Sequence, residues 1–146
     1  MDWPVTYRRK VRFSDTDAQG IVFNGNYLTY FDDTMTDYFD ALGIPWSSFV
    51  ERGYEMVLGR VEVDFRSSAR VGDVLVTGAR CVEVGRTSLI FDLETWEDSS
   101  GRTVVRGREI QVIVDAKDFS KRPIPEFLLD SIAKLQGEPV RERSAS

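Results

Sequence analysis

A single stretch of helical periodicity, followed by long runs of two-residue alternation, limits the folds open to this chain. From Tyr27 onward, Leu28, Phe31, Met35, Tyr38, Phe39 and Leu42 recur at helical spacing, while Asp32, Asp33, Thr36, Asp37 and Asp40 fill most of the other face. Asn26 reads as the N-cap, Gly43 as the residue just past the end, and Pro45 as the stop. The spacing thus predicts one helix of about four turns that buries a wide aromatic stripe. Residues 46–52 suit a short second helix. After Gly53 the period becomes two: Val61, Val63 and Phe65 alternate with Arg60, Glu62 and Asp64. Residues 73–84, 87–96 and 103–114 repeat that pattern, with Leu89, Phe91 and Leu93 on one face and Val104, Ile110, Val112 and Val114 as the apolar set of the last run. Gly85-Arg86 and Asp98-Ser99-Ser100-Gly101 are tight turns, so the strands they join are antiparallel. Residues 6–13 suit a first strand, and Pro123 and Pro125 lead into a short helix at 126–135. A lone apolar helix must be covered, and a curved antiparallel sheet wrapped around it is the economical cover. The expected class is α+β with one central helix.

Composition removes several chemistries. The chain has 146 residues, 42% of them hydrophobic and 29% charged, which fits one domain, expected at 1–137, with a polar tail at 138–146 expected to be disordered. There is no histidine and one cysteine, Cys81, which excludes an intrachain disulfide and leaves none of the usual zinc, haem or iron–sulfur ligand sets. We therefore expect no metal and no organic cofactor. A net charge of −5 argues against bulk attraction to nucleic acid. Arg8-Arg9-Lys10 and Lys121-Arg122 read as solvated ends, with a phosphate contact as the alternative. The first ten residues, MDWPVTYRRK, lack the apolar core of a signal peptide, and no run is long enough to span a bilayer, so a cytoplasmic location is expected.

Residues 13–31, FSDTDAQGIVFNGNYLTYF, carry the functional signal. Ser14-Asp15-Thr16-Asp17 leads through Gly20 into a short apolar run, and Asn24-Gly25-Asn26 then opens the helix. A carboxylate is thereby set beside the positive end of a helix, a way to build a site for a developing oxyanion. Without histidine, acid/base chemistry must rest on Asp, Glu, Lys, Tyr or water.

That layout resembles the hotdog fold, and in particular the 4-hydroxybenzoyl-CoA thioesterase family of acyl-CoA hydrolases. The family's entry motif stands here as Asp15-Thr16-Asp17-Ala18-Gln19-Gly20-Ile21-Val22 with Asn26-Tyr27 following. Weaker echoes, which matter for their order, are Val63-Asp64-Phe65 to Gly72-Asp73, Gly85-Arg86-Thr87-Ser88-Leu89 and Lys121-Arg122-Pro123-Ile124-Pro125. The resemblance spans residues 6–130 and departs at one place: many bacterial members carry a histidine where this chain has Asn24. A mechanism needing that imidazole cannot operate here; other members, including those acting on aromatic acyl-CoAs, do without it.

The resemblance implies that Asp17 is the catalytic carboxylate, attacking the thioester carbonyl or drawing a proton from the attacking water. It puts the oxyanion donor at the backbone N–H of Asn24, with Gly25 relieving crowding there. Arg86 matches a position where basic side chains meet the CoA nucleotide phosphates, though an exposed hairpin-tip arginine is the plain alternative, and Ser88 lines the site. Asp15 is expected to bond within its loop, and Asn26 and Tyr27 to serve as cap and core. Tyr30, Phe31, Trp46 and Phe49 are candidates for an acyl pocket or for plain core. The implied partners are an acyl-CoA substrate or an acyl-carrier protein, and a second copy of the chain, as a homodimer or homotetramer with the site between subunits. A hotdog dehydratase, which would need a histidine, and a non-catalytic acyl-CoA-binding protein are the alternatives.

Overall fold

The computed structural model describes residues 2–143. Its elements are β1 (Val5–Lys10), α1 (Asn26–Ala41), α2 (Trp46–Glu51), β2 (Tyr54–Phe65), β3 (Val74–Val84), β4 (Ser88–Glu97), β5 (Thr103–Asp115) and α3 (Glu126–Gln136), with a 3-10 turn at Phe13–Asp15 between β1 and α1. The strands form one sheet in the order β1-β3-β4-β5-β2, with every neighbouring pair antiparallel. Tight turns join β3 to β4 and β4 to β5, as the Gly85-Arg86 and Asp98–Gly101 signals required. β2 is different: it pairs with β5 at one edge, so residues 66–73 must carry the chain across to β3.

The aromatic stripe of α1 explains how the helix sits. Tyr27, Tyr30, Phe31, Met35, Tyr38 and Phe39 are all buried against the sheet. Phe31 lies directly over Gly107 in the centre of β5, where an added Cβ would stand 2.4 Å from the ring, so only glycine allows this approach. Leu89, Phe91 and Leu93 on β4 complete the inner face, as their alternation predicted. On the outer face acids meet arginines across the strands, with Asp92 bound to Arg108 at 2.8 Å and Glu94 to Arg106 at 2.7 Å.

Some local readings change. Asn26 is not the cap: Gly25 occupies that position, and Asn26 is the first residue of α1. The first strand ends at Lys10, because the chain turns at Phe13–Asp15. Gly43 stands just past α1 at φ +75°, as a helix stop requires. In the polar tail, residues 138–143 lie beside β3: the Val84 amide donates to the Arg141 carbonyl at 2.9 Å and the Arg143 amide to the Val84 carbonyl at 2.7 Å. Residues 144–146, the rest of the stretch expected to be disordered, fall outside the described residues.

Candidate active site

The acidic loop is two structures in sequence. In its first half Asp15 is a buried anchor, 7% exposed. Arg9, from β1, reaches it with Nη2 at 2.8 Å from Oδ1 and Nε at 3.3 Å from Oδ2, and the Arg12 amide donates to Oδ2 at 2.8 Å. Burial pushes the Asp15 carboxyl up, but the bonds from Arg9 and Arg12 and the guanidinium charge outweigh it and hold it below the ordinary range. Its backbone carbonyl accepts from the Phe23 amide at 3.0 Å and from Asn26 Nδ2 at 2.8 Å. Asp15 thereby ties β1, the loop's return strand and the first residue of α1 to one point. It is the loop hydrogen-bonder the sequence suggested, and Asn26 is its partner.

In the second half the chain makes a small hairpin. Thr16 pairs with Val22, the Asp17 amide donates to the Ile21 carbonyl at 2.9 Å, and the Gly20 amide returns to the Asp17 carbonyl at 3.0 Å. Gly20 has φ +77°, which is why the turn needs glycine. Val22 and Ile21 fasten the hairpin to Ala69 and Arg70 in the connection after β2. The half-buried Asp17 accepts the Gln19 amide on Oδ1 at 2.8 Å. Among the described residues Oδ2 has no hydrogen-bond partner, and no cation pairs with this carboxylate. Asp15 is neutralised and sealed; Asp17 is held in place yet available.

The entrance to α1 is equally open. Gly25 has φ −65° and ψ −23°, and no side chain caps the helix. The Asn26, Tyr27 and Leu28 amides bond back to Phe23, Asn24 and Gly25 at 2.9, 3.4 and 3.2 Å. The amides of Asn24 and Gly25 have no acceptor among the described residues, and they lie at the positive end of the helix. A Cβ on Gly25 would stand 3.0 Å from the ring of the exposed Phe23. Beside this entrance is a cavity of about 230 Å³ whose wall includes Asn24, Tyr27, Phe65, Arg66, Ser67 and Ser68. Residues 65–68, read in the sequence only as a strand end and part of a family echo, were not placed beside Asn24, because some forty positions separate them.

Arg86 and Ser88 lie elsewhere. Lys10 pairs with Val74 at the end of the sheet that carries the acidic loop, whereas Arg86 follows Val84 at the far end of β3. That strand spans about 33 Å at 3.3 Å per residue. Arg86 is exposed on the hairpin turn, where its carbonyl accepts the Ile124 amide at 3.0 Å, and the Gly85 amide donates to the carbonyl of half-buried Ser88 at 2.8 Å. One chain therefore gathers Asp17 and Asn24 on one loop and leaves Arg86 and Ser88 at the opposite end.

A larger cavity of about 410 Å³ opens between α1 and the edge strand, with Met35, Phe39, Trp46, Met56, Leu58 and Gln111 in its wall. A bulge builds it. Register shifts between Leu58 and Arg60, so Val63 packs against the core above Gly59 while Met56 and Leu58 line the cavity below it. Of the aromatics considered for an acyl pocket, Tyr30, Phe31 and Phe49 are fully buried core, and Trp46 alone borders this cavity, 44% exposed. Behind it Glu109 is 1% exposed, and burial, with a smaller push from Asp32, raises its carboxyl to about 7. Among the described residues no group of three or more His, Cys, Asp or Glu side chains is placed to hold a metal, and no helix is long and apolar enough to cross a membrane.

Comparison with known proteins agrees with the fold. The family model of the thioesterase-like superfamily matches residues 11–132. A 1,4-dihydroxy-2-naphthoyl-CoA hydrolase of Synechococcus elongatus is 26% identical over 126 residues, covering 85% of this chain and 91% of its own. The acyl-CoA thioester hydrolase YbgC of Escherichia coli is 23% identical over 128 residues, covering 87% and 91%. Among solved structures, a Thermus thermophilus thioesterase complexed with coenzyme A and Zn superposes with a TM-score of 0.81 at 29% identity, covering 94% of this chain and 98% of that one. The five-stranded antiparallel sheet with its helices is the fold of these hotdog thioesterases. The match over residues 11–132 takes in the acidic loop, the helix entrance and the whole sheet beyond them, and the chain belongs to the thioesterase-like superfamily.

Proposed function

We propose that this protein hydrolyses acyl-CoA thioesters to the free acid and CoA, with Asp17 as the catalytic carboxylate and the Asn24 backbone N–H as the oxyanion donor. One observation carries the reading: a carboxylate with a free oxygen is fixed on the same short loop as two unpaired amides at a helix N-terminus. The thioester carbonyl oxygen sits against those amides, which are oriented before charge develops on it. Asp17 then acts on the carbonyl carbon directly or through a water it deprotonates, and the CoA thiolate departs. The names of the relatives support a CoA thioester as the substrate, and the CoA-bound Thermus structure supports the same donor. The hotdog arrangement, with the sheet curved around α1, is part of this reading and is supported by the close seat of Phe31 on Gly107.

The reading requires a second copy. β2 is a twelve-residue edge strand whose outer side has no partner in one chain. Antiparallel pairing of two such edges across a two-fold axis sets the far end of one sheet beside the helix entrance of the other. Arg86 and Ser88 of one copy would then meet the CoA of a thioester held by the other.

The test is thiol release from aromatic, short, medium and long acyl-CoAs, run beside Asp17→Asn. A fall of at least about a hundredfold with the fold intact is expected; unchanged turnover would refute the role of Asp17. A single turnover in ¹⁸O-water tests the routes: a water activated by Asp17 labels the first product, whereas direct attack followed by water adding at the Asp17 carbonyl carbon of the mixed anhydride leaves it unlabelled and puts the label in the Asp17 carboxylate. Mixing Asp17→Asn with Arg86→Ala chains tests the shared site: mixed dimers should recover activity that neither variant has alone.

A further inference from the structure

The Tyr30 hydroxyl, on α1, is buried and has no hydrogen-bond partner among the described residues. The residue is only 2% exposed, so bulk water does not reach it. A buried donor in this state is costly, and Phe would fill the same core space without it. The hydroxyl faces the Arg9–Asp15 pair. The Arg9 guanidinium carbon lies 5.7 Å from the centre of the Tyr30 ring. Burial first and the Asp15 charge second push the Tyr30 phenol well above its ordinary value. Against its own burial, the Asp15 carboxyl is held low by Arg9, by the Arg12 amide and, last, by this phenol.

Asp15 has room for one more donor. Oδ2 takes Arg9 Nε at 3.3 Å and the Arg12 amide at 2.8 Å, whereas Oδ1 takes only Arg9 Nη2 at 2.8 Å, and a carboxylate oxygen can accept two. A donor without an acceptor therefore faces an acceptor short of a donor. Asn26 and Tyr30 stand four residues apart on α1, on one face of the helix. Asn26 Nδ2 already holds the Asp15 carbonyl at 2.8 Å, and Tyr30, one turn on, faces the carboxylate of the same residue. The unpaired Asn24 and Gly25 amides open that turn. A carbonyl oxygen bound to them pulls on the part of α1 that carries both side chains.

Resting on the hydrolase reading for where the thioester sits, we propose that Tyr30 is a latch. When the substrate carbonyl occupies the Asn24 and Gly25 amides, the first turn of α1 closes on the acidic loop and the Tyr30 hydroxyl donates to Asp15 Oδ1. Tyr30 is then a positioning residue: it touches no reacting atom, acts through Asp15, and makes its bond only in the occupied site. A bond made on binding and kept in the transition state lowers KM and leaves kcat alone.

The experiment reads Tyr30→Phe against the unaltered protein in urea unfolding, calorimetric binding and turnover. Two CoA thioethers are the probes: S-phenacyl-CoA, whose ketone can reach the amides, and S-phenethyl-CoA, which has no carbonyl. If another acyl group is hydrolysed faster than benzoyl, its own ketone and thioether take their place. The free protein should lose no stability, so the urea midpoint of Tyr30→Phe should be equal or higher. Its affinity for the ketone should fall about tenfold, and that for the thioether should not change. For the hydrolysed substrate KM should rise about tenfold at nearly constant kcat. A lowered midpoint, meaning that the bond already exists in the free protein, would overturn the proposal. So would equal losses for the two probes, no loss for either, or no binding of the ketone to the unaltered protein. Turnover that falls in Asp17→Asn but keeps its KM in Tyr30→Phe would sink the latch and leave the hydrolase reading standing. A selective loss of ketone binding, with no hydrolysis of any acyl-CoA, would do the reverse.

Discussion

Asp15 and Asp17 stand two residues apart in one loop and have opposite surroundings. Asp15 takes three hydrogen bonds, from two nitrogens of Arg9 and the Arg12 amide, and its carbonyl holds the start of α1. Asp17 takes one short bond from a neighbouring amide and keeps an oxygen free. The difference teaches that neighbouring carboxylates on one loop can be committed to unlike tasks. Asp15 holds the geometry, and under the proposed mechanism Asp17, on the backbone so fixed, is the one left to meet a substrate.

The sharpest way to break this comparison is to exchange the outcomes of two substitutions. Asp17→Asn keeps the loop's hydrogen bonds and removes the charge; turnover should fall about 10²–10³-fold while the thermal midpoint stays put. Asp15→Ala should do the reverse in stability, since it leaves the Arg9 guanidinium without its carboxylate. The loss should approach about 3 kcal/mol, the lower end for a broken buried pair, because Arg9 is partly exposed. It should appear as a lowered urea midpoint at pH 7. Asp15 also fixes a pH signature. Its folded value lies below the ordinary 3.8, so its contribution is present above about pH 4 and is lost as the pH falls through the folded value. An acid-unfolding curve that is the same for Asp15→Ala and the unaltered protein would show that the pair does not stabilise the fold.

Much of the fold was legible because its signals are periodic. Phe31, Met35, Tyr38 and Phe39 are buried on α1 at the spacing that announced them, and the turns at Gly85-Arg86 and 98–101 join the strands they were read to join. The failures occur where polar residues stand inside. In β5, Ile110 and Val112 mark the apolar face of the alternation, yet they are only half-buried while Glu109 and Gln111 are buried. Alternation assigns polar residues to solvent, so it misreads the middle of this strand, although Val104 and Val114 of the same set are buried. Asn24-Gly25-Asn26 offers more than one capping residue, and capture of the Asn26 amide by the Asp15 carbonyl decided against it as cap. Within one chain Arg86 and Ser88 lie the length of β3 from Asp17 and Asn24, so a site that holds all four needs the second copy that the resemblance implied.

Glu109 is a third acid with which to sharpen the contrast, buried like Asp15 but with an amide as its partner in place of a cation. Burial first and Asp32 second raise it from 4.5 to about 7, against the help of Gln111, so folding disfavours its charged form. The sign is therefore opposite to that of Asp15. The stability it contributes is complete below about pH 4.5 and is lost as the pH rises through about 7. The rise caps the effect at about 3 kcal/mol, and relaxation around the carboxylate should leave roughly 2 kcal/mol. Glu109→Gln should remove the decline, so its urea midpoint should gain on that of the unaltered protein between pH 5 and pH 8. Parallel midpoints across that range would mean that the acid ionises without cost.

The smallest expected effect belongs to Asn26, the link between the two halves of the loop. Its amide supplies one of the two hydrogen bonds to the Asp15 carbonyl, and the Phe23 amide supplies the other. Asn26→Ala leaves the carbonyl half-satisfied and improves the helix propensity of the position, so the net loss of stability should be about 1 kcal/mol or less. The kinetic readout is more telling. If Asp15 positions the amides at Asn24 and Gly25 through this bond, Asn26→Ala should lower kcat several-fold and leave KM nearly unchanged, because a misplaced oxyanion donor costs the transition state more than the ground state. Asn26→Asp, which replaces the donor with a second acceptor facing the carbonyl, should be worse than Ala in both stability and kcat. Equal kcat in all three proteins would make the bond a structural tie alone and would detach the Asp15 half of the loop from the chemistry of the Asp17 half.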